Sequence, residues 1–188
     1  MSSHHPDFEN LSDEELIRIT LLNDLEGFHA LVLRYQTKVF SMLMRQVRDE
    51  EVARELTQDV FLKVHLNLRK FRFKAKFATW LTRITLNTAN AYFSSRRFKE
   101  HCRTDALSDR QINTVAECDE GQQKEFAERN LQLALSKLKS KYRDVTSLYY
   151  FEGKSYEECS AILEIPVGTV ASRMNTAVRK LRELLGRL

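Results

Sequence analysis

Two stretches of the chain carry side chains suited to gripping a polyanion and touching its bases. The first is Lys70-Phe71-Arg72-Phe73-Lys74-Ala75-Lys76-Phe77, where cations alternate with aromatic rings. Cations hold phosphates and rings stack on unpaired bases, so the pattern suits a single strand of nucleic acid. A loop that tucks its phenylalanines into a core fits the same spacing equally well. The period also suits a short strand, but no second strand is in sight to pair with it. The second stretch is Thr169, Ser172, Arg173, Asn175, Thr176 and Arg179, which recur on one side of a helical pattern. Short hydrogen-bonding groups with cations are the chemistry that reads base edges and grips phosphates. Between the two stretches lie Thr85, Asn87, Thr88 and Asn90, poor helix formers with hydroxyl or amide tips. They are expected on a face that meets a polymer with polar edges. Ser94-Ser95-Arg96-Arg97-Phe98-Lys99 follows with further phosphate-binding cations.

Covalent chemistry is not suggested. No phosphate-binding glycine loop and no Ser/His/Asp or Cys/His set is evident, and the five histidines sit in unrelated contexts. Cys102, Cys118 and Cys159 form no paired or metal-ligand spacing. The expectation is no catalytic residues, no metal, no cofactor and no small-molecule substrate.

Charge distribution supports a nucleic-acid partner. The 188 residues carry a net charge of only +4, yet residues 62–104 hold eleven Lys/Arg against one acid. Residues 1–30 hold seven acids and one base, and residues 105–128 hold seven acids and two bases. Basic zones flanking an acidic stretch are the electrostatic footprint of such a binder. With 43% hydrophobic residues the chain can build cores. No run of about twenty apolar residues is present, so no membrane span is expected. The polar opening residues lack a basic-then-apolar signal pattern, which predicts a cytoplasmic protein.

The elements that must position these residues are helices. Ser12-Asp13-Glu14-Glu15 is a capping box before Leu16, Ile17, Ile19 and Leu22. From Asp24, apolar residues at Phe28, Leu31, Val32, Tyr35, Val39, Met42, Leu43 and Val47 predict a long amphipathic helix. A third helix is expected from about Asp49 to Arg69, with Arg54, Glu55, Gln58, Asp59 and Lys63 on its wet face. That strip could dock a basic partner helix or simply face water. Thr79–Phe93 is expected as a fourth helix, burying Trp80, Leu81, Ile84, Ala91 and Tyr92. Residues 100–121 have no clear period and read as a flexible acidic linker. Beyond it, Phe126–Leu138 and Tyr142–Tyr149 predict two helices, the second closing at Gly153. Ser155 and Glu158 make another capping box, Glu164-Ile165-Pro166 breaks that helix, and Val170, Met174, Ala177, Val178, Leu181 and Leu185 recur in the next. This is the pattern of a helix-turn-helix whose second helix reads DNA, although an ordinary helical hairpin has the same outline. The chain is therefore all-α, with two small helical domains over 10–99 and 122–188.

Specific motifs now carry a resemblance. Glu55-Leu56-Thr57-Gln58-Asp59-Val60-Phe61-Leu62-Lys63, then Phe71, then Phe77-Ala78-Thr79-Trp80-Leu81-Thr82-Arg83-Ile84-Thr85-Leu86-Asn87, resembles sigma domain two of extracytoplasmic-function (ECF) sigma factors. Ser155-Tyr156-Glu157-Glu158 and Pro166-Val167-Gly168-Thr169-Val170 resemble their sigma domain four. The resemblance implies a four-helix bundle, a linker and a helix-turn-helix domain. It implies that the chain binds core RNA polymerase, at the beta-prime clamp and beta flap, and helps open promoter DNA. Glu55, Gln58, Asp59 and Lys63 would dock on the clamp. Phe71, Arg72, Phe73, Lys74, Lys76, Arg83, Asn87, Asn90, Arg96 and Arg97 would handle the minus-ten element as it melts. Lys154, Thr169, Ser172, Arg173, Asn175, Thr176 and Arg179 would meet the minus-thirty-five element. A cognate anti-sigma factor, often membrane-anchored, would hold the protein inactive, in some cases at the inner membrane face. The chain departs from many relatives at Ala171 and Tyr149, where those carry cations, and in the extra basicity of Phe73-Lys74-Ala75-Lys76.

Two other classes compete. A stand-alone helix-turn-helix regulator would bind a duplex tightly without polymerase. An adaptor protein would need no basic zone.

Overall fold

A computed structural model describes residue 8 and residues 10–95 and 120–186. Everything described is helix, turn or irregular chain, with no strand among those residues. Helix α1 is Asp13–Leu21, α2 Leu25–Val47, α3 Glu50–Asn67 and α4 Phe77–Ser94. A 3-10 turn, Leu68–Lys70, leads out of α3. Helix α5 is Glu120–Lys137, α6 Ser140–Thr146, α7 Tyr156–Leu163 and α8 Val167–Leu185. The chain divides into two compact units, residues 1–88 and 89–188, so the division falls inside α4. The expected linker over 100–121 lies outside the described residues, except for its last two positions, which open α5.

In the first unit the starts of α1, α2 and α3 are each fixed by a side chain that satisfies an orphan amide. The Glu15 amide donates to Ser12 Oγ at 3.3 Å, and the Ser12 amide donates to Glu15 Oε2 at 2.8 Å. Ser12 thereby holds the Glu15 carboxyl below its ordinary pKa, its hydroxyl contributing most. Asp24 accepts from the Glu26 amide at 3.0 Å, and Asp49 from the Val52 amide at 2.9 Å. Such caps each contribute about 1 kcal/mol. Helix α2 stops where Arg48 turns into the left-handed region at φ 53°. The core gathers Leu16 and Ile17 of α1, Leu31 and Leu43 of α2, and Val60 and Val64 of α3, all fully buried. Gly27 lets α1 and α2 approach closely, since a Cβ there would stand 2.6 Å from the Leu16 carbonyl oxygen.

Helix α4 corrects two expectations. Ala91 is exposed, and the buried face is instead completed by Leu86, Ala89 and Phe93. Thr85 and Thr88 are buried at 0% and 2% exposure and do not face a polymer. The Thr85 hydroxyl donates to the Leu81 carbonyl at 2.9 Å, so its polar tip is satisfied inside its own helix.

The second unit packs Leu135, Leu138 and Ala177 into a core edged by Leu131, Tyr142, Phe151, Leu181 and Leu184. The helix expected to run through Tyr149 ends at Thr146 and widens into a π-helical turn over Ser147–Phe151. The widening carries Tyr149 and Tyr150 outward, to 41% and 59% exposure, so Tyr149 is not part of the apolar face. Gly153 takes the left-handed conformation, φ 61°, that its place after this turn requires.

Candidate nucleic-acid interface

On α3, Glu55, Gln58, Asp59 and Lys63 are all exposed and fall on one face at helical spacing. Val52, Leu56, Val60 and Val64 point the other way, into the core. Beside the strip runs an open groove lined by Gln36, Thr37 and Phe40 of α2 and by Glu50, Arg54 and Gln58 of α3. Lys63 is anchored at the end of the strip, its Nζ donating to Thr88 Oγ1 at 3.0 Å.

The basic-aromatic stretch is a loop, and its phenylalanines divide their tasks. Phe71 and Phe77 are buried at 8% and 3% exposure. Their rings and that of Trp80 form a cluster with centroids 5.2–6.0 Å apart. Phe73 stands outside, 37% exposed, with its ring 5.0 Å from Phe71 and edge-on to it. Arg72, Lys74 and Lys76 are exposed around it. Of the expected residues on α4, Asn87 is exposed and Arg83 is half-buried. Arg96 and Arg97 lie outside the described residues.

Asn90 belongs to the second unit and is held there. Its amide nitrogen donates to Asp144 Oδ1 at 2.6 Å, and its amide oxygen accepts from Arg143 Nε at 2.8 Å. Arg143 is itself buried, donates to the Leu135 and Ser136 carbonyls at 3.3 and 3.0 Å, and sits 4.6 Å from the Phe93 ring centroid. Burial pushes the Asp144 carboxyl pKa up, against the opposing pull of the Asn90 hydrogen bond and of Arg143 and Arg173. The sequence reading missed this cluster, because a charged Arg143 inside an apolar period reads as a wet position.

The helix-turn-helix forms as the capping signal predicts. The Glu158 amide donates to Ser155 Oγ at 3.2 Å, and the Ser155 amide to Glu158 Oε2 at 2.9 Å. Lys154 Nζ donates to Glu158 Oε1 at 2.7 Å, so this expected DNA contact is paired on its own surface. Lys154 and the Ser155 amide hold the Glu158 carboxyl below its ordinary pKa. At the joint Glu164 adopts the left-handed conformation, φ 54°, and the Ser160 hydroxyl donates to the Ile165 carbonyl at 2.6 Å. Helix α8 buries Val170, Met174 and Ala177. At 3.6 residues per turn, Thr169, Ser172, Asn175, Thr176 and Arg179 fall in one arc about 120° wide on the opposite side. Ser172, Asn175 and Arg179 are exposed there. The hydroxyls of Ser172 and Thr176 donate to the Thr169 and Ser172 carbonyls at 3.0 and 2.9 Å, which leaves their oxygens as acceptors. Arg173 stands at the edge of this arc, half-buried.

Comparison with known proteins bears on both units. Residues 31–99 match the family model for Sigma-70 region 2, and residues 128–181 that for Sigma-70 region 4. The RNA polymerase sigma-H factor of Pseudomonas aeruginosa is 30% identical over 169 residues, covering 86% of this chain and 88% of that protein. The ECF RNA polymerase sigma-E factor of Escherichia coli K12 is 32% identical over 173 residues, covering 88% and 90%. Among solved structures, CnrH in complex with the cytosolic domain of CnrY shares the fold, with a TM-score of 0.60 at 23% identity, covering 93% of this chain and 97% of that one.

Proposed function

The chain belongs to the ECF sigma factors of the sigma-70 family, and on that premise we propose how its surfaces divide the work of starting transcription. The protein binds core RNA polymerase and directs it to promoters. The exposed strip Glu55, Gln58, Asp59 and Lys63 docks on the beta-prime clamp. The loop around Phe73, with Arg72, Lys74, Lys76 and Asn87, takes the minus-ten element as it opens. The arc of α8 reads the minus-thirty-five element in the major groove, and the second unit meets the beta flap. A cognate anti-sigma factor, tethered to the membrane, holds the protein in the cytoplasm until a signal arrives. Among the described residues no helix is long and apolar enough to cross a membrane.

The observation that carries this reading is the pairing of two different nucleic-acid surfaces with a separate acidic strip on α3. A loop that offers an exposed ring suits unpaired bases. A helix with short polar groups suits a duplex. A factor that both positions polymerase and opens DNA needs both. The test is reconstitution: adding the protein to core polymerase gives transcripts from a genomic promoter library that core alone ignores. Silence across the library would sink the reading. Asp59→Lys reverses a charge on the strip and lowers core affinity about 100-fold, with no change in melting temperature. Unchanged affinity would remove Asp59 from the docking surface.

A further inference from the structure

Arg18 is the only cation in the first thirty residues, among seven acids. It lies on the exposed side of α1, and its guanidinium carbon sits 5.6 Å from the centroid of the Phe73 ring. Phe73 is unusual in its backbone. Its φ of 56° is a left-handed conformation that a bulky aromatic residue rarely adopts. Such a conformation persists only where surrounding contacts over-determine it. Two contacts meet the ring: the edge-on packing of Phe71 from below and the Arg18 guanidinium from α1.

Helix α1 is well placed to act as a brace. Asp13 accepts from the Tyr35 hydroxyl at 2.5 Å and from Arg34 Nη1 at 2.8 Å. The Tyr35 ring then packs 5.4 Å from Phe77, the buried residue that closes the far end of the loop. Burial, and then the Asp13 hydrogen bond, push the Tyr35 phenol well above its ordinary pKa, so it stays a donor. The close approach at Gly27 fixes α1 against α2. The short helix α1 thus reaches the loop at two points, at Phe77 through Asp13 and its hydrogen bond to Tyr35 of α2, and at Phe73 through Arg18.

We propose that Arg18 is a positioning residue for the minus-ten reader, presetting Phe73 so that its half-exposed ring is offered to a base leaving the stack. This rests on the loop acting as that reader. A preset loop loses less freedom when it captures the base, so opening is faster.

The experiment uses the holoenzyme and a promoter drawn from the library above, with 2-aminopurine placed in its minus-ten element to report unstacking. Wild type, Arg18→Ala, Arg18→Lys, Phe73→Ala and the Arg18→Ala/Phe73→Ala double variant are compared. Arg18→Ala slows the fluorescence rise about two- to fivefold, the size of an exposed cation–π contact, with core affinity and melting temperature unchanged. Arg18→Lys restores most of the rate. In the Phe73→Ala background, Arg18→Ala adds no further loss. Wild-type opening by Arg18→Ala, with Phe73→Ala slow, overturns the role of Arg18 alone. Equal losses in both backgrounds overturn it too, because Arg18 would then act on the DNA directly. Normal opening by Phe73→Ala removes the loop as reader and the positioning role with it.

Discussion

On the proposed reading, the 71–76 loop and helix α8 are two solutions to the same task of presenting side chains to DNA. Helix α8 is held by its own period: one side is buried through Val170, Met174 and Ala177, and the other is thereby committed to solvent. The loop has no period to rely on. Its geometry comes from two buried pegs, Phe71 and Phe77, and from α1 packed beside it. The comparison teaches that a regular element fixes which residues face out, whereas an irregular one must borrow that information from its neighbours. A duplex groove has a repeating shape that a helix can match. A melted strand has none, so a pegged loop is the better instrument for it.

This contrast can be broken at its strongest point first. Phe71→Ala should destabilise the first unit by about 3–5 kcal/mol, the cost of removing a buried ring, read in a thermal melt. A full-strength melt with slow promoter opening would instead make Phe71 a base contact and dissolve the distinction between peg and reader. Next, Arg179→Ala and Asn175→Ala should each weaken duplex binding by the holoenzyme by roughly 1–3 kcal/mol, with the fold intact. Affinities equal to wild type would take the exposed arc of α8 off the DNA. Ser155→Ala removes a cap and should lower the stability of the second unit by about 1 kcal/mol. Ser12→Ala should do the same to the first unit, and a large disparity between them would show that the two capping boxes are not equivalent supports. The smallest effect is expected at Arg173. Its side chain is half-buried at the edge of the arc. Arg173→Ala should therefore cost under about 1 kcal/mol in duplex binding, in the range of a screened charge. A loss as large as that of Arg179→Ala would place Arg173 among the base contacts.

What could be read in the sequence follows the same line. The capping boxes at Ser12 and Ser155 and the break at Pro166 were legible, because a cap is a local pattern of three or four residues. The arc on α8 was legible from periodicity, except that Arg173, expected within it, lies at its edge and half-buried. The loop was legible only as a composition. Nothing in the alternation of Lys70–Phe77 tells that Phe71 goes in while Phe73 stays out, since that depends on where Trp80 and α1 lie. Thr85 and Thr88 misled for a different reason. A threonine in a helix can satisfy its hydroxyl on the preceding turn, as Thr85 does, and so enter a core with no polar partner from outside. Arg143 and Asn90 were opaque because their partners are more than fifty residues apart in the chain, with 2.8 Å between them in space.

Between the pegs Phe71 and Phe77, the five positions 72 to 76 are all exposed. Phe73 packs its ring on Phe71, but folding asks little of Arg72, Lys74, Ala75 and Lys76. If the loop reads the minus-ten element as proposed, selection on promoter preference can rewrite those four positions residue by residue without touching the bundle that carries them. A new regulon could then arise by drift there while the strip on α3 proposed to face polymerase stays as it is. On that reading the pegged loop makes specificity an inheritable variable that is largely independent of stability.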